Sequence, residues 1–302
     1  MVQKCCVCNS ENLYTIGKYE NLSRITSDCK NWPKGGKLLI CRNCSIVQKE
    51  INARWYRDVK KIYEQYDIYN QSNGLEQKTY DYSLNSLRSR SEKVLSYVIK
   101  NISLPESGCI LDIGCGNGAF LKSASKLLPN WILSGSEFNN KYEQEIKQIR
   151  NFGSFYTCKL DKIPGKFDII SLIHVLEHIN QPLNFLNDVM HKLANNGIII
   201  IEIPNYEQNP FDFLIVDHAI HFSKSSISYL LEKCQCNIVL FSNSIVSKEI
   251  TIVVSKSSNK LDLKETCTFF DVKRQVERAI KWLNYLKDYY KQLSRSLSEN
   301  RN

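Results

Sequence analysis

Residues with the types and spacing to do chemistry fall into separate groups along this chain. The first is Ile110-Leu-Asp-Ile-Gly-Cys-Gly-Asn-Gly-Ala-Phe-Leu121, an apolar run that passes Asp112 and meets Gly114, Gly116 and Gly118 at alternate positions. Glycines so spaced let the chain turn tightly and bring a ligand against bare backbone. A carboxylate at the strand end suits a ligand with positive charge or hydroxyls, and the loop has no lysine to cradle phosphate. The second group is Asp217-His218-Ala-Ile-His221-Phe-Ser223. A histidine beside an acid can act as a general base, because imidazole titrates near neutrality. His218 is the first choice with Asp217 beside it, and His221 and His178 are the alternatives. The third group is a pair of Cys-x-x-Cys knuckles, Cys5/Cys8 and Cys41/Cys44. Two such knuckles complete a tetrahedral zinc site, and four protein ligands leave no open position, so the expected zinc is structural.

These groups must be positioned by secondary structure. Apolar runs predict strands at 109–113, 131–136, 154–157, 167–173 and 197–203, with helices at 118–128, 140–151, 182–194 and 224–234. The segments 237–242 and 249–255 read as a final strand pair. Strands alternating with helices imply an α/β fold with a parallel sheet covered on both faces, and ligands beyond the carboxyl ends of the strands. Glu137 falls where the second strand ends, where an acid can accept hydrogen bonds from a ribose diol. NAD-type sites use the same device.

Four regions are expected. A zinc-binding subdomain occupies residues 1–50, and a helical lid or linker residues 51–108, rich in tyrosine at Tyr63, Tyr66, Tyr69, Tyr80 and Tyr82. The cofactor-binding core spans 109–256, and a helical tail 257–302. In the tail Val272, Val276, Ala279, Leu283, Leu286, Tyr290, Leu293 and Leu297 keep heptad spacing. Such a helix either docks on its own domain or forms a homodimer.

Composition narrows the function class. The chain has 302 residues, 43% of them hydrophobic, with no apolar run long enough for a membrane span. Met-Val-Gln-Lys-Cys has no signal-peptide pattern, so a cytoplasmic location is expected. Twelve cysteines then read as thiols or metal ligands. The net charge of +9 is spread among acids with no basic block, which points away from nucleic acid.

The glycine stretch resembles the first motif of class I S-adenosylmethionine-dependent methyltransferases. So does Lys166-Phe-Asp-Ile-Ile-Ser-Leu-Ile-His-Val-Leu-Glu-His-Ile-Asn-Gln-Pro182, where Phe167, Asp168, Val175, Leu176, Glu177, His178 and Pro182 match that family's fourth-strand segment. Gly197-Ile-Ile-Ile-Ile-Glu-Ile-Pro-Asn205 is similar to its fifth-strand segment. The resemblance implies a Rossmann-like, seven-stranded, mostly parallel sheet with the last strand antiparallel. The reaction implied is attack of a nucleophile on the sulfonium methyl. Asp112, Gly114, Cys115, Gly116 and Gly118 would line the methionine and ribose. Glu137 and Phe138 would flank the ribose, Asp161 the adenine, and Ile173 and His174 the sulfonium. Residues 217–223 are similar to a segment of bacterial sugar C-methyltransferases, which carry an N-terminal zinc module and act on nucleotide-linked sugars. A His-x-x-His-Phe-Ser variant also occurs in O-methyltransferases of surface-polysaccharide pathways. The implied acceptor is a small molecule, a sugar or nucleotide-linked sugar. The rival readings are an RNA methyltransferase with a zinc module and a non-catalytic zinc-bearing interaction protein.

Overall fold

The computed structural model describes residues 3–67, 75, 76, 78–81, 85–256, 261, 263 and 267–299. The chain opens with short strands β1 (Leu13–Thr15), β2 (Arg24–Ile25), β3 (Asn31–Trp32), β4 (Leu38–Cys41) and β5 (Val47–Lys49). The residue after each knuckle, Asn9 or Ser45, turns back with positive φ. Helix α1 (Ala53–Glu64) starts where the Asn52 side chain accepts from Trp55 N at 3.0 Å, and it buries Trp55 and Ile62. A hairpin of β6 (Lys78–Asp81) and β7 (Ser86–Ser89) leads into α2 (Arg90–Asn101), capped by Ser89. Of the tyrosine-rich lid expected here, Tyr69 and Tyr82 lie outside the described residues.

The core follows the expected alternation: β8 (Cys109–Ile113), α3 (Ala119–Leu127), β9 (Ile132–Ser136), α4 (Glu143–Ile146), β10 (Phe152–Tyr156), β11 (Phe167–Ile173), α5 (Pro182–Lys192) and β12 (Leu193–Pro204). After these come β13 (Ile220–His221), α6 (Lys224–Lys233), β14 (Asn237–Ser242), β15 (Glu249–Ser255) and α7 (Phe269–Glu299). The seven-stranded sheet has the order β10-β9-β8-β11-β12-β15-β14. Its neighbours pair in parallel as far as β12, and β15 runs antiparallel to both β12 and β14. Ile199, Ile200 and Ile201 are all fully buried, as expected of a strand covered on both faces. The helix expected over 140–151 is shorter, spanning Glu143–Ile146. Beyond it the chain tightens to three-residue turns, Gln148 N to Glu145 O, Ile149 N to Ile146 O and Phe152 N to Ile149 O, because it must reach β10 at once.

Two features depart from a picture of separate regions. The sheet β1-β4-β5 of the cysteine module takes its fourth strand, β13, from the core: Ile220 pairs with Gln48 and His221 with Val47. The first half of α7 docks on this module, with Val272, Val276, Ile280 and Leu283 buried in one cluster with Ile16, Tyr19, Leu22 and Leu38. Among the described residues, no helix is long and apolar enough to cross a membrane.

Candidate active site

β8 delivers the glycine loop to the carboxyl edge of the sheet. Gly114 has φ +69, and a Cβ there would stand 2.6 Å from Val175 Cγ2, so only glycine fits. Gly114 N and Cys115 N both donate to Ser136 O at the end of β9, at 2.8 and 3.1 Å. Glu137, the next residue, accepts from Gly116 N at 2.9 Å and from Phe138 N at 2.7 Å. Asp112 is buried, accepts from Ser171 Oγ at 2.7 Å, and burial pushes its carboxyl up to about 7. Phe138 is 86% exposed beside the loop. The Cys115 thiol packs inward, toward Gly135. Gly118 closes the loop as the left-handed N-cap of α3, under Ile146 and Ile149.

Ile173 ends β11, and His174 follows with φ +54. His174 Nε2 lies 2.6 Å from Arg90 Nη1 and 3.8 Å from Glu249 Oε2, and its Nδ1 faces Glu177 at 3.1 Å. Arg90 opens α2, so that helix is tied to the strand ends. Asp161 lies elsewhere. Its carbonyl is 3.3 Å from Lys192 Nζ at the end of α5, where the chain enters β12, and this is the opposite edge of the sheet from the glycine loop. The short crossing from β10 to β11 carries it there.

The second half of the site is a histidine-acid cluster. The carboxylate of Asp212, in the 3₁₀ turn Pro210–Leu214, sits between two imidazoles, with Oδ1 2.6 Å from His218 Nδ1 and Oδ2 2.5 Å from His221 Nδ1. All three side chains are buried. Despite the burial penalty, the His221 and His218 charges hold Asp212 well below the usual carboxylate range. Burial pulls the two histidines down. For His218 the facing Asp212 charge outweighs it and its pKa rises, whereas for His221 burial and nearby Lys49 prevail and it falls to about 4. Asp217, expected to partner His218, instead accepts from Ser27 N at 2.9 Å and Ser27 Oγ at 2.5 Å, and lies 3.5 Å from His178 Nδ1. Tyr63 Oη is 3.1 Å from the same nitrogen. His178 is pulled down by burial and by the neighbouring His218 charge. Glu177, His178 and His218 place one potential ligand atom each within 4.8 Å of one another.

The segment 212–221 is held by the N-terminal module. Ile25 O accepts from Val216 N, Trp55 Nε1 donates to Val216 O at 3.0 Å, and Lys49 N donates to Ala219 O at 2.9 Å. The buried Lys49 ammonium reaches Phe213 O and Tyr19 Oη, and burial brings its pKa down to about 7. In the module itself Cys5 Sγ lies 3.5 Å from Cys44 Sγ, and Cys8 Sγ 3.5 Å from Cys41 Sγ. All four sulfurs fall within 4.8 Å of one another. Tetrahedral thiolates on zinc at about 2.3 Å would be slightly farther apart, so the cradle fits that ion. Cys6 stands outside it, its amide bonded to Gln48 Oε1.

Residues 87–240 match the family model of a methyltransferase domain. The chain belongs to that family. The match runs from β7 to β14 and contains both the glycine loop and the histidine cluster. Among curated proteins the methyltransferase domain is similar to a mitochondrial ubiquinone biosynthesis O-methyltransferase of Schizosaccharomyces pombe, 27% identical over 30% of this chain and 36% of that protein. It is also similar to a tRNA U34 carboxymethyltransferase of Campylobacter jejuni, 25% identical over 35% of this chain and 40% of that one. The chain thus matches under half the length of these relatives. Among solved structures, an S-adenosylmethionine-dependent methyltransferase from Clostridium acetobutylicum covers 67% of this chain and 99% of its own, at 13% identity and a TM-score of 0.46.

Asp212, Ser27 and Arg90 are absent from the sequence reading, and Tyr63 entered it only as part of the tyrosine-rich lid. Asp212 left a faint trace, an acid in the apolar stretch Pro210-Phe-Asp-Phe-Leu214 six residues before His218. Ser27 and Arg90 lie far from the motifs in sequence and left none.

Proposed function

We propose that the chain transfers a methyl group from S-adenosylmethionine to a hydroxyl or acidic carbon of a small, nucleotide-linked sugar, with His218 as base. The observation that carries this reading is the buried Asp212–His218 pair, which meets Glu177 and His178 in the loop that leaves β11. That loop also touches the glycine turn through Val175. Base and cofactor loop therefore converge from two sides on the carboxyl ends of the strands, where α/β sheets bind ligands.

The cofactor supplies a methyl group on a sulfonium, and transfer leaves the C–S electron pair on sulfur. Asp112 and the glycine loop would hold its methionine and ribose, and Glu137 keeps lone pairs beyond those used by the loop amides for the ribose hydroxyls. Phe138, exposed beside the loop, would flank the ribose. His174, held by Arg90 and Glu177, would border the methyl-transfer position. The acceptor's O–H or C–H proton passes to His218. With Nδ1 bonded to Asp212, the basic lone pair sits on Nε2. The carboxylates of Asp212, Asp217 and Glu177 then stabilise the imidazolium. Cys5, Cys8, Cys41 and Cys44 would hold a structural zinc, distant from the proton transfer but continuous with the strand that carries His221.

The test is a transfer assay with labelled cofactor against nucleotide-linked sugars, free sugars and transfer RNA. Label in a nucleotide sugar, lost in His218→Ala, supports the reading. Label only in RNA overturns it.

A further inference from the structure

We propose that the loop Lys34-Gly-Gly-Lys37, together with Arg24 and Arg54, forms an anion subsite for the diphosphate of the acceptor. The inference rests on the nucleotide-linked acceptor proposed above and names where its phosphates would sit.

The guanidinium of Arg24 is buried with 5% of its side chain exposed. Its Nε donates to Pro33 O at 2.7 Å, but Nη2 makes no hydrogen bond, and its ion pair among the described residues is with Asp58 at 3.6 Å. A buried charge satisfied this poorly is costly unless a further partner arrives. Arg54 lies alongside. A Cβ on Gly35 would meet its guanidinium at 3.0 Å, and one on Gly36 would meet Arg24 Nη1 at 3.2 Å, so each cation lies against one of two successive glycines. Two guanidinium groups this close repel each other, and a bridging anion removes the repulsion.

The backbone points the same way. Gly35 and Gly36 both have positive φ, at +123 and +75. Among the described residues no group accepts from the amides of Lys34, Gly35, Gly36 or Lys37. Successive free amides in a glycine turn make an anion-binding concavity. Arg54 sits in the first turn of α1 and donates to Lys34 O at 3.3 Å; the acid nearest that helix end, Glu50, accepts from the N-cap Asn52 and is paired with Lys37 at 2.7 Å, which leaves Arg54 without a carboxylate among the described residues. A side chain on either glycine would run into these guanidinium groups, so glycine keeps the two cations against the turn.

The subsite is placed for the proposed chemistry. Ser27 stands three positions after Arg24, at most about 11 Å of chain. Ser27 grips Asp217, the neighbour of His218. A diphosphate at Arg24 and Arg54 would therefore lie beside the chain segment that grips the neighbour of the proposed base.

The test is calorimetry on the full chain saturated with S-adenosylhomocysteine, with uridine diphosphate, uridine monophosphate and inorganic pyrophosphate as probes. Uridine diphosphate and pyrophosphate should bind, and the monophosphate more weakly. Arg54→Glu, at an exposed position, should weaken diphosphate binding at least tenfold and leave S-adenosylhomocysteine affinity unchanged. Arg24→Gln should do the same if thermal melting shows it folded, and Lys281→Ala on α7 should change nothing. Absence of diphosphate binding overturns the subsite, as does wild-type affinity in Arg54→Glu. Failure of the acceptor reading looks different: the probes bind with the expected variant pattern while no nucleotide sugar is methylated. Single-stranded RNA that binds through Arg54 while uridine diphosphate does not also overturns the inference.

Discussion

The two halves of the proposed site, one for the cofactor and one for the acceptor, are built in different ways. The cofactor half is local. Asp112, the glycines and Glu137 come from two adjacent parallel strands and the turns that leave them, and the loop amides close on Ser136 O and Glu137. The acceptor half is assembled at long range: Asp212 and His218 come from the connection after β12, Glu177 and His178 from the loop after β11, and Ser27, Lys49 and Trp55 from the cysteine module. A half built from one βαβ unit tolerates change elsewhere in the chain. A half held by three segments depends on all of them, so the halves should fail separately.

The largest effect expected is at the base. His218→Ala should lower turnover by about a hundredfold or more, with unchanged S-adenosylhomocysteine affinity by calorimetry. A mutant with near-normal turnover would remove His218 from the reaction. The reciprocal break is Gly114→Val. A branched side chain at φ +69, where a Cβ already stands 2.6 Å from Val175, should abolish cofactor binding. Unchanged affinity would show that the loop does not hold the cofactor.

An intermediate effect tests whether the module belongs to the acceptor half. Purified protein should contain about one zinc per chain by elemental analysis. Cys41→Ser, or chelation, should lower turnover about tenfold or more while cofactor affinity stays, because β5 carries β13 and Lys49 holds Phe213. Equal losses of binding and turnover would erase the distinction between the halves.

Two smaller effects concern ionisation. The raised pKa of His218 places the acidic limb of the kcat/KM profile above the ordinary imidazole value. Asp212→Asn removes the charge that raises it, so the limb should move to lower pH as the rate falls. An unmoved limb would assign it to another group. Asp112 in the folded state titrates at about 7, above the unfolded value near 4. Its cost to stability is absent at pH 4, grows as the pH rises, and is complete above 7. Asp112→Asn should therefore raise the melting temperature at pH 8 but hardly at pH 4, while weakening cofactor binding. An equal rise at both would exclude ionisation as the cause.

The contrast between halves is also a contrast in legibility. The glycine turn, the five parallel strands and the cysteine pairs could be read from sequence because each follows from residues within a few positions of one another. Glycine is needed where φ is positive, apolar runs are needed where a strand is covered on both faces, and two-residue spacing aims two thiols at one ion. The partner of His218 could not be read that way. Asp217 is its neighbour in sequence, but the chain bends there, so Asp217 turns to Ser27 and His178 while Asp212, six residues before His218, turns back to that histidine. The heptad tail was equally open. Its leading turns dock because β4 and the turn at Tyr19 offer them an apolar face.

The sequence by itself determined the parallel α/β core, the turn that brings backbone to a ligand, and the four cysteines able to share an ion. The tertiary structure alone decided which acid faces His218, that the cysteine module shares a sheet with the histidine segment, and which side chains brace the strand ends. Those contacts join residues up to 190 positions apart, as Ser27 and Asp217 do. Periodicity and spacing record only what neighbours along the chain require, whereas a buried charge is paired by whatever the fold sets against it.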